Sequence, residues 1–207
     1  ATLPAQRGFA TQTIYGAQWR TNSEISYIDS SFRALAAKSI NETNVEKIVT
    51  TTDLETALSQ SLNESVSLRM IPFDYHWENE VEFSFTYQGE NHKHFVVYHI
   101  ETKKITKNIP FFAAATEEIV APNKNLIAYL NNNNIELALS NGDVVQVTND
   151  GDGIVNGSSN THRQEFGIDR GMWISPDGTK LLFYKKDERM VSAYPLVDFG
   201  TRIAEHK

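Results

Sequence analysis

Apolar and polar positions alternate along most of this chain with the period of two that marks strands. The clearest case is Glu80-Val81-Glu82-Phe83-Ser84-Phe85-Thr86-Tyr87, which reads as a half-buried strand. Short apolar runs flank it throughout. Ile25–Ile28, Leu35–Ile40 and Glu46–Val49 come first, His94–Ile100 and Lys104–Thr106 follow, and then Leu126–Leu130, Ile135–Leu139 and Val144–Thr148. A last set opens with Leu181–Tyr184. The second strands of the four sets begin near Ile25, Val81, Leu126 and Leu181, at intervals of 56, 45 and 55 residues. A recurrence of roughly 40–50 residues is the rhythm of β-propeller blades, and two intervals carry insertions. The pattern predicts an all-β partial propeller, about three four-stranded blades and the start of a fourth, over approximately 14–50, 73–108, 115–148 and 165–207.

Turn chemistry supports the same reading. Trp173-x-Ser175-Pro176-Asp177-Gly178-x-x-Leu181 carries the chain from a first to a second strand, with Pro fixing φ and Asp-Gly completing the turn. Asn41–Asn44, Glu101–Lys104 and Ser140–Asp143 link third to fourth strands. Asn141-Gly142 is the sharpest of these hairpin signals and predicts a type I′ turn. Asn131–Asn134 reads as another tight turn. In the first insertion, Thr52-x-x-Glu55 resembles a capping box, and Leu54, Ala57 and Leu58 have helical spacing, so a short helix is expected near 52–60. The second insertion, about 149–170, is rich in Asn, Gly and Ser and then becomes charged. It reads equally as a functional loop or as a plain connection.

Composition narrows the functions. The 207 residues are 40% hydrophobic and 11% aromatic, and their net charge is −7. That charge argues against nucleic acid and anionic membrane surfaces as partners. Without Cys there is no disulfide, thiolate metal site or catalytic thiol. No apolar run reaches membrane-spanning length. A chain beginning at Ala1 is expected to be part of a longer protein with a signal peptide removed.

Candidate chemistry is sparse. No Gly-x-Ser-x-Gly elbow is present, because the glycine pairs Gly153/Gly157 and Gly167/Gly171 bracket Val155 and Asp169. His92 and His94 share a strand face without a third ligand. Asp150-Gly151-Asp152-Gly153 is similar to the start of a calcium loop but lacks the closing Glu. Neither metal nor cofactor is expected. The Asn-x-Ser/Thr sites at Asn41, Asn63 and Asn156 matter only in a eukaryotic secretory route. Asp187 and Glu188 beside Lys185, Lys186 and Arg189 read as a salt-laced surface.

Over Arg163–Val197 the chain resembles the N-terminal propeller of the dipeptidyl-peptidase-IV family of serine peptidases, the bacterial dipeptidyl and prolyl-tripeptidyl enzymes above all. The residues concerned are His162–Gly167, Arg170-Gly171, Trp173 with Ser175–Gly178, Leu182–Tyr184, Asp187-Glu188-x-Met190-Val191 and Tyr194–Asp198. The resemblance implies an eight-bladed propeller over a C-terminal α/β-hydrolase domain that lies outside these residues, so this segment alone is non-catalytic. It also implies peptide substrates with proline near the amino terminus and an acidic segment that binds the substrate's ammonium group. Glu165 and Gln164 lie in that segment, with Arg163 and Arg170 as supporting charges. Family members often have consecutive acids there, and an Arg in the second-blade hairpin. Here the sequence is Arg163-Gln164-Glu165, and the hairpin Gln88–His94 offers only Lys93. A periplasmic or secreted homo-oligomer is expected. The rival readings are a non-enzymatic interaction scaffold and a carbohydrate-binding or lyase propeller.

Overall fold

The computed structural model describes residues 14–159 and 165–192, and the backbone of the strand pair 197–198 and 205–206. The chain divides into two compact units, one of residues 1–114 with 140–142, the other of 115–139 with 143–207.

The first unit holds two four-stranded antiparallel meanders. β1 (Tyr15–Trp19), β2 (Glu24–Ile28), β3 (Ala34–Ser39) and β4 (Glu46–Thr50) form one. β5 (His76–Trp77), β6 (Glu82–Gln88), β7 (His92–His99) and β8 (Lys104–Phe112) form the other. Between them in sequence lies α1 (Thr51–Leu62), which turns Leu54, Ala57 and Leu58 inward. Ile28, Leu35 and Val49 of the first sheet share one apolar cluster with these helix residues and with Phe83, Phe85, Val96 and Tyr98 of the second. A buried polar hub joins the two sheets. The Ser26 hydroxyl accepts from Trp77 Nε1 at 2.7 Å and lies 3.1 Å from the Tyr75 hydroxyl. Partnering of this kind is what makes a fully buried hydroxyl tolerable.

Three local expectations are corrected. β6 is not half-buried at its centre, because Ser84 is covered along with Phe83 and Phe85. Its burial is tolerated because the Ser84 hydroxyl is satisfied by Glu78 Oε1 at 2.6 Å. The helix begins at Thr51, one residue before Thr52. Its N-cap is Thr50, which exchanges hydrogen bonds with Asp53 in a capping box. Glu55 instead accepts the Leu68 amide at 2.8 Å and fastens the chain beyond the helix. β8 runs on past Thr106 through Pro110 to Phe112. Its place at the sheet edge tolerates a residue without an N–H.

The second unit contains a third meander of β9 (Thr116–Val120), β10 (Leu126–Asn131), β11 (Asn134–Leu139) and β12 (Val144–Gln146). The two-residue hairpin turn is Asn132-Asn133, whose φ values of 48° and 66° are both left-handed. Type I′ geometry requires this. At Asn141-Gly142 only the glycine has positive φ. The Leu139 amide bonds Asp143 O across a longer loop, which does not need two left-handed residues.

A fourth set begins with β14 (Met172–Ile174) antiparallel to β15 (Leu181–Phe183), and Met172 joins Ala128, Leu130 and Ile135 in a second apolar cluster. Short strands β13 (Ile154–Asn156) and β16 (Lys185–Asp187) pair with each other, as do β17 (Val197–Asp198) and β18 (Glu205–His206). Apart from α1 and a two-residue helical step at 165–166, the elements among the described residues are strands, and the successive four-stranded meanders make the chain a partial β-propeller.

Candidate functional site

The β14–β15 hairpin is built as its sequence demands. Gly178, at φ +73°, donates to Ser175 O at 2.8 Å. Asp177 Oδ1 accepts from the Thr179 amide at 3.0 Å, and the Ser175 hydroxyl accepts from the Lys180 amide at 2.9 Å. Hydrogen bonds from Ser175 and Thr179 hold the Asp177 carboxyl below the usual aspartate range.

Just beyond, a single stretch of chain serves two partners in succession. Residues 181–183 pair with β14, and residues 185–187 pair with β13. Tyr184 lies at the junction. Its amide donates to Gly171 O at 3.0 Å and its carbonyl accepts from the Gly157 amide at 2.7 Å. Segments 154–157 and 171–174 thus act as two halves of one strand, and residues 158–170 leave and return at adjacent points. Glycine is needed at both. A Cβ on Gly171 would stand 2.2 Å from Gly157 O, and one on Gly157 would meet Met172 Cγ at 2.7 Å. Gly157 also has φ +65°. The second insertion is therefore shorter than 149–170, because its first part is ordered strand.

The departing end of the insert is anchored. Ser159 is fully buried, and its hydroxyl donates to Glu117 Oε1 on β9 at 2.7 Å. The returning end borders a cleft of about 260 Å³ lined by Glu117, Glu118, Ile119, Asp169 and Arg170. Three carboxylates and one guanidinium give that lining an acidic balance. Arg170 Nε lies 3.6 Å from Asp169 Oδ1, an exposed pair of little energetic weight.

Glu165 is exposed, in a helical step of two residues on the insert, with Phe166 beside it. Arg163 and Gln164 lie outside the described residues. Lys93 belongs to β7 in the first unit and is half-buried. Glu165 and Arg170 therefore share one insert of the second unit, and Lys93 is not part of it. The sequence reading missed Glu117, Glu118 and Ser159. A Gly-Ser-Ser run at 157–159 and a glycine at 171, bounding a polar insert, were the available signal.

Other polar groups have local work. His92 and His94 rings are 6.3 Å apart, and His94 Nδ1 is 3.0 Å from Asn108 Oδ1. Among the described residues no group of three or more metal-ligating side chains converges. Lys185 pairs with Asp150, Lys186 with Glu188 and Arg189 with Asp187, the salt-laced surface read from sequence. Hydrogen bonds from Arg189 hold Asp187 down at about 2.

Blades of this kind, one interrupted by an anchored insert, define part of a propeller domain. Residues 77–207 match the family "dipeptidyl peptidase IV (DPP IV) N-terminal region", and the chain belongs to that family. It is similar to a crystal structure from Bacteroides ovatus ATCC 8483 that bears the provisional name dipeptidyl aminopeptidase IV. The two are 27% identical with a TM-score of 0.71, over 95% of this chain and 26% of that one. The chain thus spans about a quarter of that protein. TolB from Acinetobacter baumannii matches at 15% identity and a TM-score of 0.40, over 94% of this chain and 43% of its own. Kuenenia stuttgartiensis hydrazine synthase matches at 11% and 0.35, over 81% and 47%. Similarity at these two levels bears on neither fold nor function.

Proposed function

We propose that this chain is the N-terminal propeller part of an exported, prolyl-specific serine exopeptidase of the dipeptidyl peptidase IV type, and that its insert recognises the amino terminus of the peptide. Family membership and the Bacteroides neighbour support the peptidase assignment. An enzyme that releases dipeptides must measure from a free ammonium group, and a carboxylate is the natural partner for one. The observation that carries the reading is the anchored base of the insert. It gives Glu165 a fixed origin, and Arg170 and Asp169 share that insert. Gln164 joins Glu165 as a binding residue of the proposal, and Arg163 and Arg170 are its supporting charges. The triad belongs to a C-terminal hydrolase domain, since no nucleophile elbow occurs in this sequence. Export to the periplasm or medium and self-association of the whole protein complete it.

The test compares full-length protein and its Glu165→Gln variant on Gly-Pro and Ala-Ala-Pro chromogenic peptides, each with a free or acetylated amino terminus. Wild type should prefer the free amine, and the variant should lose roughly 10-fold or more of that preference, the scale of one charge-assisted contact. Equal turnover of free and blocked peptides by wild type would refute the reading. A gene without a Gly-x-Ser-x-Gly segment downstream would point instead to an interaction scaffold.

A further inference from the structure

We propose that Glu117 and Ser159 are positioning residues that fix the departing end of the insert beside the cleft its returning end lines, and thereby tune amino-terminal recognition; this rests on the function proposed above. Both ends of the insert are held by the backbone of one residue, Tyr184, through its bonds to Gly157 and Gly171. That double bond fixes where the insert begins and ends. Ser159 supplies a third point. Glu117 Oε1 accepts both the Ser159 hydroxyl at 2.7 Å and the Ser159 amide at 3.4 Å. Ser159 is completely buried, so solvent does not compete for these bonds.

Glu117 itself has φ +55°, a conformation that a residue with a Cβ rarely adopts. It lies where the β9–β10 register shifts. Backbone strain of this sort persists only where surrounding contacts enforce it. The same side chain borders the cleft that Asp169 and Arg170 line from the returning end. One residue of β9 therefore touches the departing end and shares a cleft with the returning end.

The experiment uses full-length protein and four variants, Glu117→Ala, Glu117→Gln, Ser159→Ala and Glu165→Gln, each checked for native melting. Hydrogen exchange at the 157–159 and 171 amides is read alongside KM and kcat on free and acetylated Gly-Pro peptides. Glu117→Ala and Ser159→Ala should speed exchange at these amides at least tenfold. They should also raise KM for the free-amine peptide about tenfold with kcat within twofold, the signature of lost binding. Glu117→Gln retains the acceptor and should restore both readouts. Unchanged exchange in both alanine variants overturns the proposal whatever the kinetics. Faster exchange with an unmoved KM also overturns it, provided Glu165→Gln raises KM. If Glu165→Gln leaves KM unmoved, the amino-terminus reading falls, and exchange alone then decides whether Glu117 and Ser159 fix the departing end of the insert.

Discussion

Asp53 shows how much one side chain can do in this fold. It closes the capping box with Thr50 and also pairs with Lys103 Nζ at 2.9 Å, from the β7–β8 hairpin. Burial raises its pKa, but the bonds from Lys103 and Thr50 outweigh that and leave it lowered. A carboxylate depressed in the folded state stabilises above its unfolded pKa, near 4, and loses that contribution as pH falls through the lower folded value. Asp53→Ala should therefore cost about 1–2 kcal/mol at neutral pH, the usual range for a lost cap, and much less near pH 2. Urea melts at the two pH values measure both. Gly171 is the other decisive residue. Gly171→Ala places a Cβ 2.2 Å from Gly157 O, so one side of the junction must move. A loss of about 1–3 kcal/mol is expected, as for overpacking elsewhere, with Gly178→Ala giving a separate comparison at a turn. An unaltered melting temperature for Gly171→Ala would show that the two segments are not in contact.

Among elements, hairpins separate what the sequence discloses from what it conceals. Strand positions were legible because a period of two survives on any sheet with one covered face. Burial of Ser84 was not, since a serine in alternation looks the same whether the outer face meets water or another layer. The Asn-Gly pair attracted the type I′ assignment, yet the left-handed pair is Asn132-Asn133. Strand register decides which loop is short enough to need it, and register is a tertiary property. Asn132→Gly should be neutral or slightly stabilising, whereas Asn132→Val should cost about 1–2 kcal/mol, because β-branched residues resist φ > 0. Calorimetry of the pair tests this. The helix was visible from Leu54, Ala57 and Leu58. Its cap was displaced because Thr50, Thr51 and Thr52 are equivalent candidates until β4 fixes where the strand ends. Glu165 could be singled out through family resemblance. Its anchor could not, since Glu117 and Ser159 are 42 residues apart and meet only once the chain is folded.

At the scale of the molecule, the open surface of the second unit matters most. Leu182 is 68% exposed on β15, and Trp173, Phe183 and Tyr184 line the adjoining hollow of about 290 Å³. Apolar strand faces left open promote association. The 207-residue chain expressed by itself should sediment as more than a monomer, and Leu182→Lys should shift it toward the monomer. Identical sedimentation of the two would show that this face takes no part.

A loop whose two roots touch makes few demands on its own length. Closing a longer one costs only about 0.6 kcal/mol per doubling, and the β13–β16 and β14–β15 ladders need not shift to accommodate it. The segment between the Ser159 anchor and Gly171 can thus act as an exchangeable cassette. Grafting the corresponding stretch of another family member between those two residues should change the free-amine preference and spare the host's thermal stability.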